Sequence, residues 1–161
     1  MALLSGQSQV LQDGRQSPAA SNICRGVARL LCVHAMAAVS EVSLGNGRRA
    51  DIVAIGQGGE IWIVEIKSSI EDFRADQKWP DYEDFCDRFF FAVPGTVPFD
   101  VLPADRGLIF ADSFGAAIVR EAAHARLAGA RRKAVTLRFA HHAASMLHGL
   151  ADPDAVADGR L

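Results

Sequence analysis

Asp51, Glu65 and Lys67 are the residues whose types and spacing could do chemistry here, within the run Arg49 to Lys67, RADIVAIGQGGEIWIVEIK. Asp51 to Ile55 and Glu60 to Lys67 are rich in Val, Ile and Trp, and Gly56-Gln57-Gly58-Gly59 between them is a break of hairpin length. Two adjacent antiparallel strands are expected. Register decides whether the charges meet, because a slip of one residue sends every side chain to the other face. If Gln57-Gly58-Gly59 is a three-residue loop with glycine in the left-handed position, Gly56 pairs with Glu60 and Asp51 falls opposite Glu65. Lys67 then shares their face. A two-residue loop would put the carboxylates on opposite faces. The three-residue loop is the expectation, since the glycine pair supplies its special dihedral.

Two carboxylates facing each other across a strand pair repel, so a cation or a proton is expected between them. Mg²⁺, or Mn²⁺ in its stead, suits the place: hard oxygen ligands satisfy Mg²⁺, and it keeps several of its waters. Asp51, Glu65 and the backbone carbonyl of Ile66 are the expected ligands.

The pattern of Asp51 followed by Glu65-Ile66-Lys67 resembles the PD-(D/E)XK nuclease superfamily, with Ala50-Asp51 in place of proline and aspartate. More narrowly, NGRRADIVAI, EIWIVEIKSS, DQKWPDYEDFCDRFFFAV and GLIFAD resemble the MmcB-like family of bacterial DNA repair proteins, over about residues 22 to 150. The resemblance implies an α/β fold with a restriction-endonuclease-like core: a helix, a three-stranded antiparallel meander, a second helix and a further strand. It also implies that Asp51 and Glu65 ligate Mg²⁺. Lys67 would orient or help deprotonate the attacking water and stabilise charge on the scissile phosphate, which is metal-ion catalysis with a positioned base. From spacing alone, a solvated strand end accounts for Glu65 and Lys67 equally well.

Many members of that superfamily add an acid from the first helix, but the helix read here, about Asn22 to Met36, has no Asp or Glu. Glu41 is the substitute. It lies on the expected first strand, Ala37 to Leu44, and pairs with Asp51 if Gly45-Asn46-Gly47 is a three-residue loop. Asn46-Gly47 is also a strong two-residue turn signal, which would move Glu41 off the site.

At 161 residues, half of them hydrophobic, the chain suits one domain with a real core, read as residues 21–150. Residues 1–20 read as a disordered tail and 151–161 as a loose one. No apolar run is long enough to cross a bilayer, and the polar start lacks a leader pattern, so a soluble cytoplasmic protein is the expectation. Cys24, Cys32 and Cys86 lack paired spacings and read as buried thiols.

In the first helix, Ile23, Val27, Leu30, Leu31 and Val33 are expected to pack on the sheet, with Arg25 and Arg29 solvated. After Lys67 the pattern is helical and acidic, and Pro80 can start a helix. Arg88 to Val93 reads as a buried strand reached by a crossover, hence parallel to its neighbour, giving a mixed central sheet flanked by helices. Gly107 to Asp112 and Ala116 to Arg120 read as a strand pair. A last helix, near Ala128 to Leu150, is expected to cover the sheet with Leu137, Ala140, Ala144 and Leu147.

The net charge of −2 means that any contact with DNA comes from a local patch. Arg48 and Arg49 are candidates, as is Lys78. Trp79 and Tyr82 could stack on a base, and core packing explains them equally well. Arg126, Arg131, Arg132, Lys133 and Arg138 read as a solvated basic face, and His141, His142 and His148 as surface or capping residues. The expected function is DNA repair by Mg²⁺-dependent phosphodiester hydrolysis. The alternative is a nuclease-like fold that binds DNA or a repair partner without cutting.

Overall fold

Two glycine turns set the frame of the sheet. In the computed structural model, which describes residues 17–154, the strands β1 (Met36–Ser43), β2 (Arg49–Gly56) and β3 (Ile61–Ile66) form an antiparallel meander. Both connections are three-residue loops: Leu44 N–H donates to Arg48 O across the first, and Gly56 N–H to Glu60 O across the second. Gly47 at φ +80° and Gly59 at φ +82° hold the left-handed positions, which favour glycine. The three-residue expectation for the second loop is met, and the first loop, open between two and three residues in the sequence, also has three.

The helical segment after β3 is split into α2 (Ile70–Ala75) and α3 (Pro80–Glu83), with Pro80 opening the second. β4 (Arg88–Val93) then runs parallel to β3, and β5 (Gly107–Ala111) parallel to β4; β6 (Ala116–Arg120) closes the sheet antiparallel to β5. The result is a six-stranded mixed sheet in the order β1 to β6, an α/β fold with the element order expected for the restriction-endonuclease-like core. Every residue of β3 is buried, as expected of a central strand covered on both faces.

The first helix corrects the sequence reading. α1 spans Pro18–Val33, so residues 17–20, expected in the tail, are its cap and first turn. Ser17 Oγ accepts from Ala20 N–H, and Pro18 sits where a missing N–H does no harm. The helix stops before Met36, since Ala35 takes φ +54° and Met36 begins β1. Ile23, Val27 and Leu31 are buried against one sheet face, whereas Val33 is 84% exposed. Gly26 lies so close to Asp112 O and Gly115 O that a Cβ would clash, and Arg29 donates to the carbonyls of Ser113 and Phe114. Arg29 is exposed, as expected, and from the surface it also fastens the β5–β6 turn. Ala151, expected in the C-terminal tail, ends the last helix, and residues 1–16 and 155–161 of the expected tails lie outside the described residues.

On the other face, α2, α3 and α4 (Gly129–Ala151) pack against Val53, Ile63, Phe89, Phe91 and Leu108. α4 turns toward this core with Val135 and Phe139, not with the expected stripe: Leu137 is 52% exposed and Leu147 67%. His142 Nε2 lies 2.9 Å from Ser40 O on β1.

Arg132 anchors the start of this helix. Asp87, 1% exposed, accepts from Ile61 N–H at 2.7 Å and Leu127 N–H at 2.9 Å, and its oxygens meet Arg132 at 2.6 and 2.7 Å. Arg131 lies over the Phe85 ring, so two residues of the expected solvated basic face are structural. Burial disfavours the Asp87 charge, but Arg132 and the two backbone N–H groups win and hold its pKa at about 2. Because the folded pKa lies below the unfolded one, the stability this group contributes is present above about pH 4 and is lost as pH falls toward 2. Arg132→Ala should destabilise the fold by about 3 kcal/mol in urea unfolding at pH 7, because it leaves Asp87 buried without its cation.

Candidate functional site

Asp51, Glu65 and Lys67 converge where the β2–β3 ladder opens. Pairing runs from Ile55↔Ile61 to Ile52↔Val64, so the next step of the register sets Asp51 opposite Glu65. The ladder is not continued there: Asp51 Oδ2 itself accepts the N–H of Ile66 at 2.7 Å. A residue's N–H and C=O leave a strand on the same edge, so the Ile66 carbonyl also points toward Asp51.

A break in the strands makes this possible. Ser40↔Ile52 and Val42↔Ala50 are paired, which leaves Glu41 in register with Asp51. Glu41 adopts φ +61°, a left-handed backbone that costs a non-glycine residue about 1–2 kcal/mol. Val39 and Val42, three residues apart, both join the core under α4, as do Ala50 and Val53. Regular strands would send such pairs to opposite faces. The alternation is therefore broken on both strands at Glu41 and Asp51, and the Asp51 carboxylate lies between strands rather than on a face. Glu41 is also ion-paired with Arg49.

Glu65 is 4% and Lys67 2% exposed. Lys67 Nζ lies 3.5 Å from Glu65 Oε1 and donates to Asp76 Oδ2 at 2.9 Å. Asp76 follows α2, a helix capped by Ser69 Oγ accepting from Asp72 N–H, while Asp72 accepts from Ser68. Asp76 was not among the residues expected at the site. Nothing in its acidic, helix-like surroundings distinguishes it until Lys67 is seen to be buried beside it.

The electrostatics follow from crowding acids into a dry place. Burial pushes the Asp51 pKa up to about 6, opposed by the Ile66 N–H and reinforced by Glu41. Burial and then the Asp51 charge push Glu65 up to about 8, with Lys67 pulling the other way. Burial works against the Lys67 ammonium, but Asp76 and Glu65 hold its pKa above the ordinary lysine value. Glu65 Oε2 is buried with no hydrogen-bond partner among the described residues.

These features fit a hard cation. The donors are two carboxylates that compensate each other poorly, an unmet carboxylate oxygen and a backbone carbonyl, which suit Mg²⁺ or Mn²⁺ with retained waters. Among the described residues, no group of three or more His, Cys, Asp or Glu is arranged to hold a metal by itself.

The expected DNA-contact residues divide. Arg48 pairs with Asp81 at 2.8 Å, Arg49 is exposed, and Lys78 is exposed. Tyr82 is 5% exposed, its hydroxyl donating to Arg49 O, and Trp79 packs against Phe89 and Phe91 under Arg106. Their rings pack in or against the aromatic core, the core-packing reading of the two that the sequence left open. Cys24 and Cys86 are buried as expected, but Cys32 is exposed.

The acids make stability depend on pH in a definite direction. With folded pKa values above the unfolded ones, the folded state binds protons more tightly, so metal-free protein should lose stability as pH rises from about 4 through about 8. Glu65→Gln should flatten that decline and raise the melting temperature at pH 8 in chelator. An unchanged pH profile would contradict the assigned burial of Glu65.

No helix among the described residues is long and apolar enough to cross a membrane. A comparison with curated proteins finds no match. A solved structure, a protein of unknown function from Silicibacter pomeroyi, is 45% identical, with a TM-score of 0.83, covering 87% of this chain and 95% of that one. A family model described as DNA repair protein MmcB-like matches residues 7–154. By that match, which spans nearly the whole fold and the Asp51–Glu65–Lys67 site, the chain belongs to the MmcB-like family of DNA repair proteins.

Proposed function

We propose that this protein is a Mg²⁺-dependent deoxyribonuclease acting in DNA repair, with Asp51 and Glu65 as metal ligands and Lys67 as the catalytic cation. The observation that carries this reading is the half-buried Asp51 carboxylate set beside the buried Glu65 at the open end of the β2–β3 ladder, with Lys67 next to them. A fold gains nothing in stability from that arrangement, so a ligand is the reason to keep it.

Asp51, Glu65 and the Ile66 carbonyl would hold the ion, with Glu41 near enough to add its charge to Asp51. A bound Mg²⁺ supplies charge neutralisation at the phosphoryl oxygens and a water of lowered pKa. The protein groups do the rest. Asp76 keeps Lys67 protonated and fixed, so that its ammonium is a preorganised donor toward charge developing on the phosphate. The Ile66 N–H holds the Asp51 carboxylate in one orientation. Arg48, Arg49 and Lys78 contact the DNA backbone around the site, as phosphate contacts that position without reading sequence.

A second reading is favoured by one observation: no ready cluster of three acidic, histidine or cysteine ligands is present among the described residues. On it the protein binds DNA or a repair partner without cutting. Calorimetry and cleavage assays separate the two. Asp51→Asn or Glu65→Gln should abolish Mg²⁺ binding. Lys67→Ala should retain Mg²⁺ and DNA binding yet lose cleavage by roughly 10²- to 10⁴-fold. Wild-type protein that binds DNA but leaves nicked, flapped, branched and single-stranded substrates intact with Mg²⁺ or Mn²⁺ would favour the adaptor.

A further inference from the structure

The apolar stripe expected to cover the sheet from α4 faces solvent instead. The half-buried and buried positions of the helix, Arg132, Val135, Phe139, His142, Ala143, Met146 and Gly149, turn toward the domain. On the opposite side Ala130, Leu137, Ala144 and Ala151 recur every seventh residue, with Ala140 and Leu147 interleaved three residues after Leu137 and Ala144. All six are exposed, and they form a heptad seam about 30 Å long.

Charge says what covers it. The first turns of α4 carry Arg131 and Lys133, and the helix itself contains no Asp or Glu. Asp152 and Asp154 follow its other end. A parallel pairing of two such helices would set basic end on basic end. An antiparallel pairing sets each basic end against an acidic one, and the seam supports it: Leu137 meets the partner's Leu147, Ala140 meets the partner's Ala144, and Lys133 meets the partner's Ala151, three residues before the partner's Asp154. The alanines at the centre allow the helices to approach closely, and a leucine pair flanks them on each side.

We propose that α4 pairs antiparallel with α4 of a second copy of this chain, forming a two-fold dimer with self-complementary surfaces. The dimer leaves the Asp51–Glu65–Lys67 cluster outside the seam, so the inference is independent of the catalytic reading. With alanine at most seam positions, the contact is smaller and less apolar than that of an obligate dimer, and association should depend on concentration.

Sedimentation across micromolar to millimolar protein tests it. The full chain should move from 17.3 kDa toward twice that mass. Ala144→Glu, an exposed position that favours helix, should remain monomeric with an unchanged melting curve. Lys133→Glu and Asp154→Lys should each weaken dimerisation by about tenfold, since symmetry counts each contact twice. Their combination should restore it, as only the antiparallel arrangement requires. A wild type that stays monomeric throughout, or a dimer indifferent to all these changes, would overturn the proposal. So would a monomer in which Lys133→Glu reduces DNA affinity, which would make this face a nucleic-acid surface.

Discussion

Setting a half-buried carboxylate beside a buried one is costly unless something compensates them, and the site end of this structure is arranged around that constraint. Asp51 and Glu65 meet because the second loop has three residues, with Gly59 in the left-handed position. The ladder gives way just past Ile52↔Val64, and the Asp51 carboxylate fills the gap by taking the Ile66 N–H. Glu41 absorbs the backbone strain of the break. Lys67 offsets part of the negative charge, and Asp76 in turn keeps Lys67 charged. Without a further cation, the sum of these groups still holds the pKa values of both Asp51 and Glu65 above the ordinary carboxylate range.

The opposite end of β3 shows how the same fold treats an acid with a structural task. Asp87 is as little exposed as Glu65, yet its pKa falls instead of rising. Two backbone N–H groups and a doubly bonded Arg132 account for both of its oxygens. Glu65 has an unmet oxygen and one lysine shared with Asp76. A satisfied buried carboxylate holds a domain together; an unsatisfied one stores affinity for a ligand. This contrast between the two ends of β3 is why we read the Asp51–Glu65 end as functional.

What could be read from the residues alone was local. The glycine loops, the strand register and the parallel crossover to β4 follow from turn chemistry and from runs of β-branched and aromatic residues. The early start of α1 was missed because Ser17-Pro18 lies in a stretch of low complexity, where the cap signal has no apolar periodicity beside it. α4 carries two stripes at helical spacing, and periodicity alone does not say which one faces the domain. The Asp87–Arg132 lock joins residues 45 apart in sequence, and the left-handed Glu41 occurs at a residue type that gives no such signal. The main site residues were legible because three charges on strands are conspicuous. Their supporting partner, Asp76, was not, because an acid among acids looks ordinary.

The most direct test of the metal reading is a crystal structure grown or soaked with Mn²⁺, examined for anomalous scattering. The account predicts one ion bonded to a carboxylate oxygen of Asp51, to Glu65 Oε2 and to the Ile66 carbonyl, at about 2.1–2.2 Å, with waters completing the shell. An ion bound elsewhere, or Asp51 and Glu65 remaining without metal at saturating Mn²⁺ and alkaline pH, would contradict it.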